Sequence, residues 1–300
     1  MDFLIITSSR DIASMNVRDN LLKSKSYSFE LVDFEWHNQP VFKLENHIID
    51  NKRNLHFKTI GIYLGLTDER LIFLDDLKLN NSFFSPDFII FASRHTSKTS
   101  RPALLAHTTG NWTQNTEFGG NPWELSQTSA ILHKAGFLSL LEQNNIQPLE
   151  NYVVDIEVTH HGPTNIEKPL VYMELGSSKT EWINYKAGEL VANAIISTCF
   201  YYLQFKERNK IQVGLGFGGT HYAPNFNRLI RNNDIAVSFI CPKYFIQNLN
   251  YDMIQQMIQN TYEEVDFFIL DWKGTNSNDK KYLIPLLEQF SIPIKKTKEF

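Results

Sequence analysis

A chain of 300 residues with 42% hydrophobic and 21% charged residues has the composition of a globular protein able to bury a large core. Its longest apolar runs, such as Phe88–Ala92, are far too short to span a bilayer. Two cysteines, Cys199 and Cys241, exclude a disulfide scaffold and a CxxC zinc site, which points to the cytoplasm and, placed in apolar patterns, to core roles. The net charge of −4 argues against a generally basic nucleic-acid-binding domain. It leaves local clusters for phosphate contacts: Arg94, Lys98 and Arg101; Arg228 and Arg231; Lys295, Lys296 and Lys298.

In chain order, Phe3–Thr7 predicts a first strand, without the basic start and long apolar stretch of a signal peptide. A short helix is predicted near Ser14–Leu22. Strands are predicted at Phe29–Phe34, His56–Tyr63, Leu71–Leu74, Pro86–Ser93 and Pro102–His107, with the polar region 37–54 read as a long loop or hairpin. A helix over 126–142 is followed by strands Tyr152–Val158 and Leu170–Leu175. The clearest helix runs from Glu181 to about Lys206, with Ile183, Ala187, Leu190, Ala194, Thr198, Tyr201 and Phe205 at steps of three and four. Strands Ile211–Gly216, Ile235–Ile240 and Asp266–Leu270 come next, with a helix at Asp252–Tyr262 between the last two. A final helix begins near Asp279, where Pro285 is expected to kink or restart it. Continuous apolar strands alternating with helices predict an α/β fold: three layers, α/β/α, around a mixed, largely parallel sheet. One domain over 1–300 is expected, with a possible N-terminal lobe at about 1–85 and a catalytic part at about 86–300.

Four segments place histidines where a strand gives way to a turn. They are Ser93-Arg94-His95; His107-Thr-Thr-Gly110-Asn111-Trp112; Glu157-Val-Thr-His160-His161-Gly162-Pro163-Thr164; and Gly214-Leu-Gly216-Phe-Gly218-Gly219-Thr220-His221-Tyr222-Ala-Pro224. Imidazole and carboxylate bind metals and move protons near neutral pH, and α/β sheets bind ligands at the carboxyl ends of parallel strands. Five of the nine histidines fall at such ends, so convergence on one sheet edge is expected. Glu157 and Glu174 could orient these histidines or join them as ligands. The spacing of the GLGFGG run is not that of a dinucleotide loop. Its N–H groups are instead expected to face a ligand or an oxyanion. Lys273, in Asp271-Trp272-Lys273, is either a substrate clamp or half of an ordinary surface pair. No GxSxG elbow, HExxH helix or phosphate-binding Walker loop is present.

Together these segments resemble the archaeal and plant type of D-aminoacyl-tRNA deacylase. The resemblance rests on Ser93-Arg94-His95 with Ser97, His107 with Gly110-Asn111, Glu157 to Thr164, Glu174-Leu-Gly176-Ser177 followed by Trp182, and Gly218 to Pro224. The chain departs from that pattern at Arg101 before Pro102 and at Thr220. The resemblance implies a phosphorylase/hydrolase-like fold and hydrolysis of the ester joining a D-amino acid to tRNA, a step of translation quality control. It also implies zinc, a D-aminoacyl-tRNA acceptor end as partner, no membrane, and a monomer in the cytoplasm. On this reading His160, His161, Glu157 and His221 are the catalytic candidates, and His95, His107 and Glu174 the metal candidates. Arg94, Thr164, Gly218, Gly219, Tyr222 and Lys273 are the substrate-binding candidates. The residues leave open whether a metal or a histidine activates the water. They also leave two other functions: a zinc peptidase or nucleoside-phosphorylase-like hydrolase of small molecules, and a non-catalytic tRNA-binding module.

Overall fold

The computed structural model describes residues 1–47, 60–79 and 84–300, without the side chains of 46 and 47. The main sheet has eight strands: β1 (Asp2–Ser8), β2 (Tyr27–Trp36), β3 (Gln39–His47), β4 (Gly61–Thr67), β5 (Phe88–Arg94), β6 (Ala103–His107), β7 (Val153–Ile156) and β8 (Leu170–Gly176). Their order is β2-β3-β4-β1-β5-β8-β6-β7. β4, β1, β5 and β8 run parallel, as do β6 and β7, but β6 runs antiparallel to β8. The α/β class and the mixed, largely parallel sheet are thus as expected. The sequence did not foretell a second, separate, fully parallel sheet of β9 (Gln212–Phe217), β10 (Ile235–Cys241), β11 (Phe267–Leu270) and β12 (Ile294–Lys296), ordered β10-β9-β11-β12.

The helices are α1 (Ile12–Lys23), α2 (Ala130–Ile146), α3 (Lys179–Trp182), α4 (Tyr185–Arg208), α5 (Pro224–Asn232), α6 (Tyr251–Gln259) and α7 (Ser277–Leu287). Alternation along the central strands splits the core. Phe3, Ile5, Phe88, Ile90, Val171 and Met173 face α1, α2 and α4. Leu4, Ile6, Ile89, Phe91, Leu170 and Tyr172 face the chain around Leu71, Leu74, Leu77 and Phe84. On this second face the register continues past Phe91 and Tyr172 to Ser93 and Glu174, which is how apolar strands deliver polar groups to a site.

Three local expectations need correction. Leu71–Phe73 is a 3-10 turn, not a strand; Leu71 and Leu74, three apart, are buried while Phe73 is 42% exposed, so one turn suffices. The helix expected from Glu181 is broken at Ile183, which is 59% exposed, because Asn184 accepts the Ala187 N–H and starts α4 afresh. Pro285 lies inside α7 without ending it. Of the two readings of region 37–54, the hairpin holds in its described part: His37 and Asn38, at φ +53° and +56°, turn β2 into β3. The strand expected at His56–Tyr63 begins outside the described residues and is seen as β4 from Gly61.

α2 joins the two sheets and is buried almost all round. Its His133 Nδ1 lies 2.9 Å from the Val237 carbonyl of β10, and its Nε2 lies 3.3 Å from the Ala106 carbonyl of β6. Burial pushes this imidazole down to about 4, so it is a neutral strut rather than a site residue. The neighbouring Lys134 donates to the carbonyls of Ile230 (2.6 Å), Asn233 (2.8 Å) and Ile235 (3.0 Å), closing the end of α5. Lys134→Met would orphan three buried acceptors. We expect it to cost about 3 kcal/mol, read as a lower urea midpoint at an unchanged m-value.

Candidate active site at the seam of the two sheets

The seam is made by the chain leaving β7. Val158 N donates to the His221 carbonyl and Thr159 N to the Ile240 carbonyl, so these two residues bridge to the second sheet. The Thr159 hydroxyl pairs with Thr108 (2.9 Å) and accepts from Ile240 N (3.0 Å), and its carbonyl accepts from Trp112 Nε1 (2.7 Å). The next residues, His160 and His161, turn back into the gap, His161 at φ +45°. Gly162 is required there, because a Cβ would meet backbone of Gly119, Gly120 and Ile72.

Five histidines meet at this point. The ring centroids of His107 lie 4.3 Å from His160 and 4.8 Å from His161; His160 is 4.9 Å from His221. His95 Nδ1 stands 3.5 Å from Glu157 and 3.4 Å from Glu174. The expected convergence is real, but its cause is not one edge of parallel strands. His107 reaches the cluster on β6, which runs against β5 and β8, and stacks at 5.2 Å on Tyr172 of β8. His221 arrives from the other sheet.

Three of the rings are held in one tautomer. His107 Nδ1 lies 3.1 Å from the Thr108 carbonyl, His160 Nδ1 2.7 Å from that of Val158, and His161 Nδ1 2.6 Å from that of Gly162. A carbonyl only accepts, so each Nδ1 carries a proton, and Nε2 is the atom that offers a lone pair when the ring is neutral. Burial, then the neighbouring His107, drives His160 well below the usual histidine range and His161 down to about 4, so both are neutral. For His107 and His95 burial also pushes down, but the Glu174 and Glu157 carboxylates outweigh it and both are raised. Glu174, although buried, is held well below the carboxylate range by His107 and His95, and its Oε1 accepts from the Ser93 hydroxyl at 2.6 Å.

The donor atoms suit a divalent cation. Those of His107, His160 and His161 lie within 4.8 Å of one another, as do those of Glu157, His160 and His221, and of His95, Glu157 and Glu174. His107 Nε2 and both oxygens of the buried Glu157 lack a hydrogen-bond partner, even though Glu157 Oε1 lies 2.8 Å from His221 Nε2. Buried, unpartnered lone pairs aimed into one gap are costly unless a cation or proton fills it. Nδ1–H anchored on carbonyls is the orientation that metal-binding imidazoles show.

The cluster opens into a cavity of about 620 Å³ lined by Arg94, His95, His160, His161, Glu174 and His221, among others. Tyr222 stands behind His95, its hydroxyl 3.3 Å from Nε2. The other expected substrate contacts lie elsewhere. Gly218 N donates to the Cys241 carbonyl and Gly219 N to that of Gly274, so neither N–H is available to an oxyanion. These glycines sit at φ +101° and +82° because the loop packs against Asp271 and Thr275. The Thr164 hydroxyl donates to Glu124 and accepts from Asn121 N, and its side chain is away from the cavity lining. Lys273 is exposed and does not line the cavity, while Asp271 is buried, holding Asn225 and Gly274 N. Among the lining residues that escaped the sequence reading are Phe118 and two arginines, Arg10 and Arg70. The one signal of the arginines is a basic residue two or three positions beyond an apolar strand.

The sequence pattern of the D-aminoacyl-tRNA deacylases matches residues 82–295, which takes in every histidine of the cluster. The chain belongs to that family. It is 33% identical to the D-aminoacyl-tRNA deacylase of Pyrococcus abyssi over 293 residues, covering 96% of this chain and 97% of the relative. The Methanocaldococcus jannaschii deacylase is 32% identical, with 97% and 98% covered. A crystal structure of a conserved protein of unknown function superposes with a TM-score of 0.80 at 29% identity, over 100% of this chain and 96% of that one. The family drawn from the THHGPT and HYAP segments is thereby borne out. Among the described residues no helix is long and apolar enough to cross a membrane.

Proposed function

We propose that the chain hydrolyses the ester between a D-amino acid and the terminal ribose of tRNA, with zinc held by Nε2 of His107, His160 and His161. The observation that carries this reading is the set of three Nδ1-anchored imidazoles beside the buried Glu157 carboxylate, in a chain of the deacylase family. A zinc ion there supplies Lewis acidity and a water of lowered pKa. His221, at the mouth of the cavity and 2.8 Å from Glu157, takes the proton of the attacking water and returns it to the departing ribose oxygen. Glu157 stabilises the imidazolium between those steps. Glu174 and Ser93 fix His95 and His107 in place. Chirality is selected by a wall that an L side chain would strike, and rejection of that kind needs no pocket shaped to one side chain. A cavity of this volume accommodates an aminoacyl-adenosine end with side chains of different size.

The decisive assay incubates the protein with D-Tyr-tRNA and L-Tyr-tRNA. Release is expected from the D form only, to be lost on chelation and restored by zinc. No release from the D form, with or without added zinc, would sink the reading.

A further inference from the structure

One wall of the cavity is built from the ends of three neighbouring parallel strands, and each end carries an arginine. Arg10 follows β1, Arg70 follows β4, and Arg94 closes β5; all three line the cavity. The first two loops are tied together, with Ser9 N donating to the Thr67 carbonyl and the Ser9 hydroxyl to Asp68. Arg70 lies 5.0 Å over the Phe73 ring and Arg94 5.3 Å over Trp182, whose Nε1 donates to the His95 carbonyl. The acidic lining residues, Asp11 and Glu174, are both buried and engaged. Asp11 accepts from Ser14 N and Arg94 N, and Glu174 from Ser93. The accessible charge of this wall is therefore positive in a chain whose total is −4.

The same cavity presents Phe118, 57% exposed on a backbone that is anything but loose. Its carbonyl accepts from Gly162 N (3.1 Å), next to His161, and Gly119 at φ +83° packs on the Ile72 carbonyl. An aromatic ring left in solvent on an anchored backbone, lining the same cavity as the arginines and histidines, suits the π-face of a base. We propose that this wall binds the single-stranded 3′ end of tRNA, with Arg10, Arg70 and Arg94 taking its phosphates and Phe118 stacking on the terminal adenine. The proposal rests on the deacylase reading above.

The test measures affinity without chemistry, using the full chain and a fluorescent RNA hairpin that ends in single-stranded ACCA and carries no amino acid. Arg10→Ala with Arg70→Ala should raise Kd at least tenfold. It should also flatten the dependence of log K on log salt by about 1.4, since each single-strand phosphate contact contributes about 0.7. Phe118→Ala should weaken binding about tenfold, and Phe118→Tyr should restore it. Lys206→Ala with Lys210→Ala makes the same charge change near the start of β9, the end remote from His221, and should leave Kd within twofold. The proposal is overturned if the arginine pair stays within twofold of wild type, or if the lysine pair weakens binding as much. Should the arginine pair melt early, Arg10→Ala alone, at an exposed side chain, decides by a threefold threshold. Hydrolysis is scored separately: its absence overturns the deacylase reading, while the affinities still decide the wall.

Discussion

His161→Ala is expected to lower D-aminoacyl-tRNA hydrolysis by about a thousandfold or more and to abolish tight zinc binding, while the protein stays folded. The ring is tied by Nδ1 to the Gly162 carbonyl, so its Nε2 is spent on the cavity and on nothing structural. On the proposed ligand set, removing one of three imidazoles would leave a site too weak to hold zinc, and the loss would include the whole contribution of the metal. The backbone at His161 already sits at φ +45°, a conformation alanine adopts somewhat less readily than histidine, so folding should weaken only slightly. Elemental analysis, a thermal melt and single-turnover deacylation together check this. Retention of a tenth of the activity with a full zinc complement would remove His161 from the ligand set. Early melting of the variant would assign it a structural role instead.

Glu157→Gln is expected to have the opposite signs in activity and stability. Glu157 is 1% exposed and faces imidazoles, His221 Nε2 at 2.8 Å and His95 Nδ1 at 3.5 Å, so the metal-free fold carries a buried carboxylate whose desolvation these contacts offset only in part. Glutamine has nearly the same volume and no charge. The chelated variant should therefore melt at or above the temperature of the chelated wild type. Hydrolysis should fall by about a hundred- to ten-thousandfold, because His221 loses the anion that stabilises its protonated form. A site residue that destabilises its own fold is the expected trade between activity and stability. A marked loss of melting temperature together with near-normal turnover would show that Glu157 is a structural anchor.

Both predictions turn on contacts that one strand alone could not announce. The segment from Glu157 to Pro163 was legible as a strand ending in two imidazoles and a turn, and its order sufficed for the family. The tautomers were not legible, because they depend on which carbonyl each Nδ1 meets after the turn is made. The glycine loop misled for the same reason. Gly218 and Gly219 read as exposed donors, yet Cys241 and Gly274 claim their N–H groups once β9 and β10 pair and the loop after β11 folds back.

The sequence by itself determined the local elements and the inventory of the site, because both follow from short-range chemistry. Apolar runs set the strands, and residue types at their ends set the donor groups. Arg94, His95, His107, His160, His161, Glu174 and His221 were all named from such ends. Tertiary structure alone decided that β6 runs against β8, that β9 to β12 form their own sheet, and that α2 lies between the two. Those are long-range pairings, specified by how buried faces match across the whole chain rather than by any segment. The same pairings bring Arg10, Arg70 and Phe118, from three distant segments, into the lining of one cavity, where their chemistry becomes readable.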